Sequence, residues 1–222
     1  MQDLRIFLTD TMRFFRAHFL SLSAIVVPFL LPLNILSMLA DQSEPGVGLA
    51  ALMYLPALLI FPIYQVALIL YIATAVSGDR LRFLEYFMIG LRFWLPILLL
   101  YLISGVAIVA GFMLLVVPGL IVLARIIFAE FYCIFDEMNP MDAFNASWQQ
   151  TRDRQLMILS GLLIVYVSCA IPVWAIEMFM VILNVWNPLV IVVSGFLSAL
   201  LYAPPTIFAF RVFKGQSEPL NK

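Results

Sequence analysis

Residues 93–124 read FWLPILLLYLISGVAIVAGFMLLVVPGLIVLA, thirty-two consecutive positions without an Asp, Glu, Lys or Arg. About twenty apolar residues cross the hydrocarbon core of a bilayer, so this run exceeds a single helical crossing. Pro118-Gly119 is its natural break, giving the end of one span and the start of the next. Equally uncharged runs extend from Ala17 to Ala40, from Pro45 to Gly78 and from Met178 to Phe210. Of the 222 residues, 64% are apolar and 11% charged, against roughly 45–50% and about 25% in soluble domains. The mean hydropathy of +1.08 is therefore a property of the whole chain. A soluble fold of this size could not bury so much apolar surface, which excludes a water-soluble globular domain and a disordered chain. A net charge of −1 provides no basic field for nucleic acid.

The charge-free runs divide into six spans: Phe19–Ala40, Leu49–Val76, Trp94–Val117, Leu120–Phe135, Leu156–Leu183 and Pro188–Phe210. The fourth is short and carries Arg125 and Glu130, so a kinked or re-entrant path is the alternative to a full crossing. The first is longer than the ~7–15-residue apolar core of a signal peptide and is read as an uncleaved anchor. The positive charges give the orientation. Eleven of the twelve Lys and Arg residues lie at the N-terminus, between spans two and three, between spans four and five, or after span six; the twelfth is Arg125. Positive residues are retained on the cytoplasmic side, so both termini are expected there.

Each cytoplasmic segment that precedes an odd-numbered span has helical amphipathic spacing, at about residues 3–17, 79–92 and 140–154. In the second, Leu84, Phe87, Met88 and Leu91 recur at i, i+3, i+4 and i+7, with Arg82, Glu85 and Arg92 on another face. The first aligns Leu4, Phe7, Leu8 and Thr11; the third aligns Met141, Phe144 and Trp148 and opens on Asn139-Pro140, a cap followed by proline at the first helical position. The expected fold is thus an all-α, polytopic membrane protein forming a single domain over residues 1–222. Its six transmembrane helices form three hairpins, each preceded by a cytoplasmic interfacial helix. Interfacial helices direct aromatic residues inward and arginines towards anionic lipid, which singles out Arg16, Phe87, Arg92, Trp148 and Arg154 as lipid contacts. Plain packing beneath the bundle is the alternative.

Chemistry-bearing motifs are scarce. The sequence contains no GxSxG, HExxH, Walker A or strand-associated GxGxxG pattern. His18 is the single histidine, and Cys133 and Cys169 stand alone in apolar runs, so no catalytic residue, metal or cofactor is expected. Three charges within the spans, Arg125, Glu130 and Glu177, are the candidate binding residues, as an ion pair or a solute site. A charge at bilayer depth costs roughly 2.5–3.5 kcal/mol on insertion scales and needs a partner or a water-filled cavity. Arg125 and Glu130 are five residues apart, outside the i+3 or i+4 spacing of helical pairs. Arg125 follows Pro118 by seven residues and Glu177 precedes Asn184 by seven, which makes Glu177 the expected partner of Arg125. Gln65 and Asn34 are the strongly polar residues of the first two spans.

The stretch Val117-Pro118-Gly119, Arg125, Phe128, Asn139-Pro140, Ala143, Ser147-Trp148, Thr151 and Arg154 resembles a pattern of uncharacterised bacterial membrane proteins and of membrane domains attached to some glycerophosphodiester phosphodiesterases. Together with Asp10-Thr11-Met12-Arg13-Phe14-Phe15-Arg16, it resembles more specifically the YciC-like inner-membrane proteins of Gram-negative bacteria. The resemblance implies a multi-pass protein of the bacterial inner membrane and supplies no catalytic residues. The expected function is accordingly non-enzymatic, acting with membrane lipids or a membrane partner in envelope homeostasis. A second copy and another membrane protein are the open alternatives for that partner, and a small permease for a lipophilic or small polar solute is the alternative function. The topology is directly testable with reporter fusions at Gln42, Asn187 and the C-terminus. The first two should report the periplasm and the last the cytoplasm; a periplasmic C-terminus overturns the assignment.

Overall fold

The computed structural model describes residues 2–28, 47–79, 81–182, 196–197, 200–201 and 203–217. The regular elements among these are all helical: α1 Gln2–Ala17, α2 Phe19–Pro28, α3 Val47–Ser77, α4 Phe83–Arg92, α5 Trp94–Leu114, α6 Val116–Ile126, α7 Ala129–Phe135, α8 Pro140–Gln150, a 3₁₀ turn Arg152–Arg154, α9 Gln155–Ile182 and α10 Ala203–Ser217. Four stretches are long and apolar enough to cross a membrane: Leu59–Ser77, Trp94–Leu114, Val116–Phe135 and Arg152–Ile176. They overlap the second to fifth expected spans, but the chain turns at Leu115 and not at the expected Pro118-Gly119, which lie in the first turn of α6. Residues 29–40 of the first expected span, and residues 188–195, 198–199 and 202 of the sixth, lie outside the described residues.

The three amphipathic segments form helices, and each packs lengthwise on another helix. In α4, Gly90 meets the backbone of Ile63 in α3, where an added Cβ would stand 2.7 Å from the Ile63 carbonyl oxygen. On either side of this contact, the Trp94 indole Nε1–H donates to the Leu59 carbonyl at 2.7 Å, and the hydroxyls of Tyr86 and Thr74 lie 2.9 Å apart. Helix α1 packs on α10, with the Arg211 guanidinium 5.3 Å from the Phe14 ring and Phe7 against Gly215. Helix α8 packs on α7. Its start is as expected: the Asn139 side chain accepts from the amides of Met141 and Asp142, and Pro140 occupies the first turn. Between α7 and α8, Glu137 adopts a left-handed φ of 48°, and the chain turns back so that the Met138 amide reaches the Tyr132 carbonyl at 3.3 Å.

The faces by which these helices pack differ from their large apolar stripes. Helix α1 turns its whole stripe inward, with Leu4, Phe7 and Leu8 packed on the core and Thr11 and Phe14 buried, whereas the stripes of α4 and α8 reach the core through Phe87 and Phe144. In α4, Leu84, Met88 and Leu91 are 69%, 60% and 61% exposed, while Tyr86 and Gly90 are buried. In α8 the buried line is Ala143 and Ser147, continued by Thr151, and Met141 points out. The physical reason is the solvent. Large apolar side chains lose nothing by facing lipid, whereas small residues let backbones approach.

The fourth expected span is broken. Helices α6 and α7 are separated by Ile127 and Phe128, which form a turn. Helix α5 joins α6 through Leu115 alone, and Gly111 approaches the Gly119 backbone closely enough that an added Cβ would stand 3.0 Å from its Cα. A second close approach fixes α10 on α9: a Cβ on Gly161 would lie 2.1 Å from the fully buried Phe208 ring. Gly161→Leu should displace Phe208 and destabilise the protein by about 1–3 kcal/mol, the usual cost of overpacking. Thermal unfolding in detergent measures this, and an unchanged midpoint would show that α10 is not held there.

Candidate functional site

The break between α6 and α7 sets the geometry of everything around it. In an unbroken helix the Phe128 amide would donate to Ala124 and the Arg125 carbonyl would accept from Ala129. Here the buried Ser147 hydroxyl from α8 takes over both roles. It accepts from the Phe128 amide at 3.1 Å and donates to the Arg125 carbonyl at 2.7 Å. The Thr151 hydroxyl lies 3.1 Å from the same carbonyl and 2.7 Å from the Ser147 carbonyl, and donates between them. Two hydroxyls one helical turn apart thereby satisfy backbone groups that would otherwise be orphaned in an apolar interior.

The break sends Glu130 and Arg125 in different directions. Glu130 enters the wall of a partly open cavity of about 540 Å³ between α3, α5, α6, α7, α9 and α10. Most of the lining is aliphatic, including Leu100, Ile108, Leu123 and Leu162. Polar groups gather around Glu130. The Gln65 side-chain amide donates to Glu130 Oε2 at 3.0 Å and to the Thr206 hydroxyl at 3.3 Å. The Tyr101 hydroxyl is buried beside the same carboxyl yet closes no hydrogen bond of ordinary length. Ser104 and Tyr166 also line the cavity. Among the described residues no cation lies within ion-pair distance of Glu130. A largely apolar chamber thus contains one carboxyl held by a neutral donor, next to a hydroxyl with unspent hydrogen-bonding capacity.

Arg125 lies outside that cavity. Its Nε–H donates to Gln155 Oε1 at 3.0 Å, and its guanidinium stacks 4.7 Å from the Trp148 ring, which in turn stacks on Phe144. This corrects the expected pairing with Glu177. Gln155 begins α9, and Glu177 follows it by twenty-two residues on the same helix, about 33 Å away at 1.5 Å per residue. Arg152, Asp153 and Arg154, which immediately precede Gln155, are exposed, and Arg125 lies level with this charged start of α9. Backbone arithmetic puts Glu177 at the opposite end of α9; its side chain lies outside those described. The three charges picked from the sequence are therefore not brought together.

Of the expected lipid contacts, Arg16 and Arg154 are exposed and Phe87 is partly buried, its ring 5.0 Å from Phe83. Arg92 forms an exposed ion pair with Glu137 at 3.2 Å, and Trp148 is partly buried under Arg125. Sequence reasoning singled out Gln65 but not Tyr101, Ser104 or Thr206, which carry no signal within uncharged spans. Asn34 lies outside the described residues. Ser147 and Thr151 stood out in the sequence only among the residues of the family resemblance, without an indication of what they bond. Comparison with protein-family models, with curated proteins and with solved structures finds no match.

Ser147→Ala removes the acceptor of one buried amide and a donor to the Arg125 carbonyl. It should cost about 1–3 kcal/mol, the penalty for an orphaned buried group. Thr151→Val leaves Ser147 in place and should cost less. Chemical denaturation in mild detergent distinguishes them, and equal losses would show that Ser147 has no special place at the break.

Proposed function

We propose that this chain is a multi-pass protein of the bacterial inner membrane, with six spans and cytoplasmic termini, that works without enzymatic activity by holding a molecule from the lipid phase. The observation that carries this reading is the Glu130–Gln65–Tyr101 cluster at the wall of an otherwise aliphatic, partly open cavity. An apolar chamber with a few convergent polar groups suits an amphipathic guest, whose body displaces water from aliphatic walls while its head meets fixed hydrogen-bonding groups. Glu130 accepts, and Tyr101 can donate or accept, so the head would carry at least one N–H or O–H donor. The positive-inside pattern supports the orientation, and the YciC-like resemblance supports the inner membrane. Envelope homeostasis through such a lipid-phase ligand is the role proposed.

A permease for a lipophilic or small polar solute is the second reading. The opening of the cavity and the absence, among the described residues, of a cation paired with Glu130 favour it. Transporters place such groups along their pathways.

1-Aminoanthracene, an apolar fluorophore with an amine donor, tests the site in detergent-solubilised protein. Saturable fluorescence enhancement is expected for the wild type. Leu123→Trp, which fills the chamber, should abolish it, and Glu130→Leu should weaken it about tenfold, equivalent to one lost charge-assisted hydrogen bond. Unchanged binding by Leu123→Trp would overturn the proposal.

A further inference from the structure

We propose a second site, separate from the cavity, where Arg125, stacked on Trp148 and anchored by Gln155 beside Arg152 and Arg154, holds the phosphate of an anionic lipid headgroup. Neither Arg125 nor Trp148 lines the cavity. The guanidinium is oriented from two directions, by the Nε–H bond to Gln155 at 3.0 Å and by the indole face at 4.7 Å. Its terminal nitrogens make no hydrogen bond among the described residues and are not buried. No described carboxylate lies within ion-pair distance of it. Four N–H donors are thus presented in a fixed plane with their charge uncompensated, a fork that fits two oxygens of one anion.

The surroundings indicate which anion. Arg152 and Arg154 lie in the exposed 3₁₀ turn immediately before Gln155, with Asp153 as the single acidic residue of that turn. The next residue, Leu156, is 73% exposed and begins the apolar surface of a helix long enough to cross the membrane. Going along α9, a ligand would meet cationic forks first and bare aliphatic surface directly afterwards. A phosphate at the boundary with acyl chains running along α9 matches that sequence of surfaces, whereas a free phosphate would use only the first part. Indoles favour the membrane interface, where lipid phosphates lie, and Trp148 is the ring on which Arg125 stacks. Hydrogen bonding to Gln155 also explains why an arginine in the middle of a nominal span is tolerated. It lies level with the end of its neighbour.

The test uses the full chain with Trp94, Trp174 and Trp186 replaced by Phe, so that Trp148 alone reports. It is reconstituted in phosphatidylcholine vesicles containing a minor fraction of either phosphatidylglycerol or phosphatidylcholine brominated near the headgroup end of the acyl chains. Trp148 should be quenched preferentially by brominated phosphatidylglycerol. That preference should fall about fivefold for each arginine removed, the usual electrostatic contribution of one basic residue at an anionic surface. Arg125→Gln removes the fork. The double variant Arg152→Gln/Arg154→Gln, confined to an exposed turn, keeps the test valid if the first variant does not fold. Equal quenching by the two lipids, or a preference unchanged in the double variant, overturns the proposal. Inorganic phosphate added to pure phosphatidylcholine vesicles is the third arm. A change in Trp148 emission matching that produced by phosphatidylglycerol would assign the site to a free anion and overturn the lipid assignment.

Discussion

The hydroxyl of Ser147 stands between two backbone groups that a broken helix leaves without partners, the Phe128 amide and the Arg125 carbonyl. In hydrocarbon an unsatisfied backbone group costs several kcal/mol, so a break within a span survives only where another element supplies the missing bonds. Helix α8 supplies them through Ser147 and Thr151, and its approach requires a face with nothing larger than a hydroxyl or methyl group. Ala143 and Ser147 are fully buried on that face. The break, the narrow face of α8 and the turn that brings α8 back along α7 are one arrangement.

The two polar sites follow from it. A continuous helix from Val116 to Phe135 would hold Arg125 and Glu130 about 140° apart on one cylinder. Broken at Ile127–Phe128, the chain directs Glu130 towards Gln65 and Tyr101 and leaves Arg125 against Trp148 and Gln155. Opposite charges close in sequence are thereby given separate neutral partners, Gln65 for Glu130 and Gln155 for Arg125. This agrees with the general cost of ionised groups at membrane depth: they persist where they meet a cavity or the interface.

The large apolar stripes illustrate how lipid changes the reading of a helix. In water an apolar stripe marks the buried face, because burial is where apolar area is stabilised. In α4 the stripe Leu84, Met88 and Leu91 points outward and the helix packs through Tyr86 and Gly90. Where the outer medium is itself apolar, close approach decides the contact, and Gly90 permits the Ile63 backbone to come within reach. Helix α1 obeys the soluble rule, burying Thr11 and Phe14 against α10 while Arg5, Arg13 and Arg16 stay exposed.

The sequence by itself determined that the chain is helical and membrane-embedded, where most spans and amphipathic segments fall, and that α8 starts at Asn139-Pro140. Those properties are local. Hydropathy is a sum over consecutive residues, and a cap bonds amides two or three positions away. The partners of Arg125 and Glu130 were decided only by tertiary structure. Gln65 meets Glu130 across 65 positions, Ser147 meets the Arg125 carbonyl across 22, and Arg125 meets Gln155 across 30. The depth argument that joined Arg125 to Glu177 counted residues from Pro118 and Asn184, and the contact of Arg125 with Gln155, at the other end of α9 from Glu177, overrides that count. No local pattern announces such a break, because what stabilises it is a hydroxyl on another helix.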